Sequence, residues 1–189
     1  MRAVRSMVAV VLAAAMLGGL CGCDQPAHGE KPIDVPAFIA TDQNGKAVSK
    51  QDMLGKVWLT HFIFTRCAGP CPLMTAKMKQ IQDALGDASV TLVSFTVDPA
   101  YDTPAILKQY MQDRSASERN WLMLSTGTEP SVQTLAKAMH IGVSKAGEEI
   151  VHGTHFILVD KQGRVHGYYS GTDDEGWKNA VSEAKKMAR

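Results

Sequence analysis

The hydrophobic positions of this chain change period several times, and each change predicts an element. Met1 to Gly22 carries two charges, Arg2 and Arg5, followed by an apolar run from Met7 through Leu20. This is the layout of a secretory signal peptide, and the run falls short of the ~20 residues that a membrane span needs. Residues 23–36 are polar, and the stretch from Gln25 to Pro36 holds three prolines. That composition predicts a flexible tether ahead of a single domain over 37–189. Phe38-Ile39-Ala40 and Ala47-Val48-Ser49 flank Asn44-Gly45, the signal of a hairpin closed by a tight turn.

Val57 to Phe64 is a short run of apolar and β-forming residues, which predicts a central buried strand. From Pro72 to Leu85, residues Leu73, Met74, Met78, Ile81 and Leu85 recur at helical spacing. Val90 to Val97 predicts a second buried strand, and Asp102-Thr103-Pro104 opens a helix running to about Met111. Trp121 to Leu124 predicts a strand, and Pro130 to His140 a helix with Val132, Leu135, Ala136 and Met139 inward. His152 to Val159 and Val165 to Tyr169 predict a second hairpin around Lys161-Gln162-Gly163, and Asp173 to Met187 a closing helix. Strands that alternate with helices and end in a hairpin describe an α/β protein, a thioredoxin-like α/β/α sandwich with an N-terminal β-hairpin.

Composition narrows the function classes. The chain is 45% hydrophobic and 21% charged over 189 residues, ordinary for one globular domain. A net charge of +1 with no run of lysines or arginines gives no field for nucleic acid, so no nucleic-acid partner is expected. The apolar run ends in Leu20-Cys21-Gly22-Cys23, which resembles a bacterial lipobox. The resemblance implies cleavage after Gly22, a lipid on Cys23, and attachment to the extracytoplasmic face of a bacterial membrane. In a Gram-negative cell that would be the periplasmic side of the inner membrane. Removing the first 22 residues takes two arginines and no acid, leaving 167 residues with 18 basic against 19 acidic, net −1.

Of four cysteines, Cys67 and Cys71 then stay free, in an oxidising compartment. They lie in Cys67-Ala68-Gly69-Pro70-Cys71-Pro72, between a buried strand and a helix start. Thiols there meet unsatisfied N–H groups and a partial positive charge, which favours the thiolate that attacks disulfides or binds soft metals. A plain stabilising disulfide is the weaker reading, because so short a loop constrains the unfolded chain little. A selective copper site needs a further ligand, for which histidine is the obvious source. His28 falls in the tether, His61 in the central strand where a core role is expected, His140 at a helix end and His166 on the outer hairpin. His152 and His155 lie just ahead of the strand from Phe156, in a loop that this topology packs opposite the cysteines.

Three motifs carry a family resemblance: Phe64-Thr65-Arg66-Cys67-Ala68-Gly69-Pro70-Cys71-Pro72, then Ser94 to Pro104 (SFTVDPAYDTP), then His152 four residues ahead of Phe156-Ile157-Leu158-Val159-Asp160. In this order and spacing the chain resembles the Sco/SenC family over about Pro36 to Gly171. Those are membrane-attached copper-binding proteins of thioredoxin fold that serve assembly of the copper A centre of cytochrome c oxidase. The resemblance implies Cys67, Cys71 and His152 as copper ligands, for Cu(I), Cu(II) or both. It also implies the copper A subunit of the oxidase or another copper acceptor as partner, supplied by an upstream copper donor or thiol reductant. Asp98 and Asp102 match the family's acidic motif; Asp98 is expected beside the site and Asp102 in turn and capping chemistry. His155 is a candidate fourth ligand or supporting partner, ranked below His152 because side chains three apart alternate faces on a strand.

Other chemistries compete. Cys67 attacking and Cys71 resolving would make a thiol-disulfide oxidoreductase, although Gly153 to Phe156 lacks the proline that thioredoxins place opposite their cysteines. A peroxide-reducing relative, with Arg66 beside its cysteine, fits the motif poorly, and zinc at the same Cys/Cys/His set is a weaker option. Met74 and Met78 are soft donors but fall on the core face of their helix, so they are read as core.

Overall fold

A computed structural model describes residues 32–146 and 149–189. The predicted signal peptide, the predicted lipid acceptor Cys23 and the predicted tether up to Lys31 lie outside those residues. The folded part begins earlier than the predicted boundary at 37: Val165 donates its N–H to the Ile33 carbonyl (2.8 Å), Val35 donates to Gly163 (3.0 Å), and the Val35 side chain is fully buried. An apolar residue that completes a core is bound to the domain, whatever the composition around it.

Strands β1 (Ile39–Asp42) and β2 (Ala47–Ser49) form the expected hairpin. Its turn places Gly45 at φ +79, and the Asp42 carboxylate accepts the N–H groups of Asn44 (2.8 Å) and Lys46 (2.9 Å). A single helical turn, α1 (Lys50–Met53), leads to β3 (Val57–Ile63), in which all seven residues are buried. There follow α2 (Cys71–Leu85), β4 (Val90–Thr96), α3 (Pro104–Gln112), β5 (Trp121–Ser125) and α4 (Glu129–Ala138). Strands β6 (Val143–Ala146), β7 (Glu149–His152), β8 (His155–Val159) and β9 (Val165–Ser170) precede the final helix α5 (Asp174–Ala188).

Seven strands share one sheet in the order β2-β1-β5-β4-β3-β8-β9, with β3, β4 and β5 parallel and β8 antiparallel to β3. On one face Trp58, Phe62 and Phe95 pack against Val132 and Leu135 of α4 and Met139 just after it. On the other, Leu59, Leu92 and Trp121 pack against Met74, Met78 and Ile81 of α2, with α3 and α5 beside them. This is the α/β/α sandwich read from the sequence, and the methionines of α2 are core as expected. Leu73, counted with that apolar face, is instead 47% exposed in the first turn of α2.

One predicted strand is two. The stretch expected to run from His152 to Val159 breaks at Gly153-Thr154, where β7 leaves the main sheet to pair with β6, Val143 opposite His152. The break is held from both sides: Gly153 donates its N–H to Gly142 (3.0 Å), and Gly171 donates to the Thr154 carbonyl (2.8 Å). His152 therefore ends a separate two-stranded arm and is not the first residue of a sheet strand.

His61 takes the core role expected of it. Its ring is fully buried, with Nε2 2.7 Å from the Ser94 hydroxyl, which also accepts Trp121 Nε1–H at 2.9 Å. Burial pulls its pKa from 6.5 down to about 3. Below pH 6.5 the unfolded chain takes up a proton that the folded chain refuses until about pH 3. This group therefore contributes stability that is complete above pH 6.5 and is lost as pH falls through that window. In urea unfolding, lowering the pH from 7 to 5 is expected to cost the wild type about 2 kcal/mol more than a His61→Gln variant.

Candidate metal centre

The end of β3 and the start of α2 bring the cysteines together. After Ile63 the chain turns, Cys67 donating its N–H to the Phe64 carbonyl (3.3 Å), and α2 begins at Cys71 behind Pro70. Proline in the first turn fits a helix start because the N–H it lacks would be unpaired there anyway. Opposite them, the β6–β7 arm delivers His152. The two sulfurs and one ring nitrogen of His152 all lie within 4.8 Å of one another, with Cys71 Sγ 2.9 Å from His152 Nε2.

The histidine is preset for a ligand. Its Nδ1–H donates to the Gly153 carbonyl at 3.1 Å, which leaves the Nε2 lone pair facing the sulfurs. Burial lowers its pKa, so the ring is held neutral, and the Phe64 ring stands edge-on to it at 6.0 Å. A cavity of about 360 Å³ opens over the cluster, walled by Phe64, Ala68, Pro70, Ile150 and Val151. Apart from Cys67 and the imidazole, the described residues of these walls carry apolar side chains or none, and none of them is a carboxylate that would recruit a hard cation.

The thiols are less alike than the sequence predicts. Both were expected to be acidified by the helix N-terminus; Cys67 is partly exposed, but Cys71 is fully buried, and burial pushes its thiol up to about 12, with the Cys67 side chain adding to the rise. Desolvation here outweighs the backbone hydrogen bonds from Phe64 and from Cys71 itself that favour the thiolate. A bound cation reverses that balance, because a coordinated thiol gives up its proton outright.

Around this cluster the acidic motif acts through the loop before Cys67. Asp98 is 3% exposed and accepts both Nε (2.9 Å) and Nη2 (2.7 Å) of Arg66, whose guanidinium lies 4.5 Å from the Tyr101 ring centroid. Asp102 was expected to cap a helix or shape a turn; Thr103 caps α3 instead. The fully buried Asp102 carboxylate ties the ends of β3 and β4 together, accepting the Thr65 N–H (3.2 Å), the Thr65 hydroxyl (2.5 Å) and the Thr96 hydroxyl. His155 does not join the cluster. It begins β8 exposed, because the break at Gly153-Thr154 separates its direction from that of His152. The arm residues Ile150 and Val151 escaped the sequence reading, which had no β6–β7 pairing to place them, and Phe64 was read there as strand end and motif residue, not as a wall of the site.

The family model described as SCO1/SenC matches residues 26–188 of this chain. Solved structures give the same picture. A SCO1/SenC family lipoprotein from Bacillus anthracis str. Ames is 33% identical with a TM-score of 0.79, over 84% of this chain and 98% of that one. BsSco, described through its disulfide switch as a member of the Sco family of cytochrome c oxidase assembly proteins, is 33% identical with a TM-score of 0.76, over 83% and 94%. ScoI of Bradyrhizobium japonicum, solved with copper bound, is 25% identical with a TM-score of 0.69, over 82% and 99%.

Proposed function

The chain belongs to the SCO1/SenC family, and from that premise we propose that it binds copper through Cys67, Cys71 and His152 and serves the copper A site of cytochrome c oxidase during its assembly. The observation that carries the reading is the convergence of two sulfurs and an oriented imidazole within 4.8 Å, under an apolar cavity. Two thiolates suit Cu(I), and the imidazole also accommodates Cu(II). Copper is cargo here: it enters from a donor, displaces the thiol protons and leaves to an acceptor that offers its own soft ligands. A lipid on Cys23, supported by the lipobox-like Leu20 to Cys23 and by the naming of the Bacillus anthracis relative as a lipoprotein, would hold the domain on the extracytoplasmic face of the membrane.

The uneven burial of the cysteines favours a second reading of the same pair. A partly exposed Cys67 attacks a disulfide on the acceptor, and buried Cys71 resolves the mixed disulfide. Two electrons and two protons pass to the acceptor's cysteines, and Cys67–Cys71 becomes the disulfide.

Titration of the reduced domain with copper separates the readings. Wild type is expected to bind one equivalent with a Cu(II)–thiolate charge-transfer band that His152→Ala loses. An unchanged band and affinity in His152→Ala would remove His152 from the ligands, and a wild type that binds no copper would leave only the thiol chemistry.

A further inference from the structure

We propose that Gly171 is a positioning residue for the metal centre: the absence of a side chain there lets the His152 arm and the Cys71 helix come together. The proposal rests on reading Cys71 and His152 as ligands. Gly171 follows β9, and its φ lies outside the left-handed region, so backbone freedom is not why glycine stands there. Space is the reason. A Cβ at this position would lie 2.7 Å from the Thr154 carbonyl oxygen, 2.8 Å from Met74 Cε and 3.3 Å from Met74 Cγ.

Both neighbours lead to a ligand. Thr154 sits two residues after His152 in the break between β7 and β8, and its carbonyl accepts the Gly171 N–H at 2.8 Å. Met74 lies in the first turn of α2, three residues after Cys71, and is fully buried, so its tail has no path into solvent. Gly171 thus touches at once the loop that carries Nε2 and the helix that carries Sγ, the two atoms that stand 2.9 Å apart. Carbon and carbonyl oxygen settle at ~3.3–3.6 Å, so a methyl group would drive the Thr154 carbonyl away by about 0.6 Å. A constellation of ligands tolerates about 0.5 Å of misplacement before its function suffers. The displacement therefore acts on the distance between the imidazole and the sulfur, through the backbone, without touching either.

Gly171→Ala and a control, Gly163→Ala, test this. Gly163 sits at φ +78 in the turn at the other end of the β8–β9 hairpin, where a Cβ meets only Lys50 and Leu54 side chains. Its substitution strains the fold away from the site. Two readouts are taken: the His152 imidazole and Cys71 amide resonances of the reduced, metal-free protein, and copper affinity with its charge-transfer band. Gly171→Ala is expected to shift the His152 and Cys71 resonances, move the band and weaken copper about tenfold or more, the scale of losing an outer support of a metal ligand; Gly163→Ala should do none of these. If Gly171→Ala fails to fold, Met74→Ala and Met74→Ala/Gly171→Ala are compared. The new methyl then meets the Thr154 carbonyl alone, and the same changes are expected between the pair. Unshifted resonances with unchanged affinity in the folded variant, or equal effects from Gly163→Ala, overturn the proposal. A wild type that binds no copper would refute the copper reading, and the metal-free resonances would still decide the role of Gly171.

Discussion

Cys71→Ser is expected to abolish stoichiometric copper binding while leaving the fold standing. The serine hydroxyl would occupy a fully buried position 2.9 Å from His152 Nε2, and its O–H can donate to that nitrogen as the thiol does. A buried hydroxyl with a partner costs little, so urea unfolding should show a loss of about 1 kcal/mol or less. Copper affinity behaves differently. A neutral hydroxyl is a hard, weak donor in place of a thiolate, and the loss should exceed the ~100-fold that marks removal of a mere supporting group. Cys67→Ser should match it in copper binding, measured by competition with a Cu(I) chelator. Tight binding retained in both variants would remove the metal centre from the account.

The second large effect falls on stability. Asp102→Ala takes away the carboxylate that accepts the Thr65 N–H, the Thr65 hydroxyl and the Thr96 hydroxyl, all at the ends of β3 and β4. The alanine leaves those donors facing a dry gap, and stranding a buried donor costs about 1–3 kcal/mol each when it cannot turn to another partner. Since the hydroxyls can rotate, the expected total is about 3 kcal/mol, read as a fall in melting temperature of about 10 °C for a domain of this size. Burial also pushes the Asp102 carboxyl above its ordinary 3.8. Between 3.8 and that raised value the folded chain binds more proton than the unfolded one, so this group favours the fold as pH drops, opposite in sign to His61. The variant should lose that contribution, and an unfolding free energy within about 0.5 kcal/mol of wild type would show that the tie carries no weight.

Elements whose burial is written in one local run were legible in the chain. β3, with seven buried residues in a row, and α4, with Val132, Leu135 and Ala136 inward and buried Met139 just beyond its end, appear in the structure where the pattern puts them. The cysteine motif was legible because a helix start is a local event. What escaped depends on partners distant in sequence. Strands β6 and β7 are four residues each and pair as a separate two-stranded sheet, so neither has a period long enough to register. Without that arm, His152 and His155 looked like neighbours on one strand, and only the break at Gly153-Thr154 separates them. The burial of Cys71 and the double contact of Gly171 are likewise made by chain far away, and no residue near either announces it.

The proposed ligands differ in how far apart the chain places them: the cysteines are four residues apart, whereas Cys71 and His152 are separated by 81. An unfolded chain keeps the dithiol as a local chelate and loses only the imidazole and the apolar walls. Copper is then held on both sides of the unfolding equilibrium, and it raises the melting temperature only by the logarithm of the ratio of its two affinities. The thermal shift on loading should therefore be much smaller than the tightness of binding, and smaller still in His152→Ala. The same asymmetry sets an order of events for a chain that meets copper before it has folded: the cysteines capture the ion first, and docking of the β6–β7 arm closes over it last.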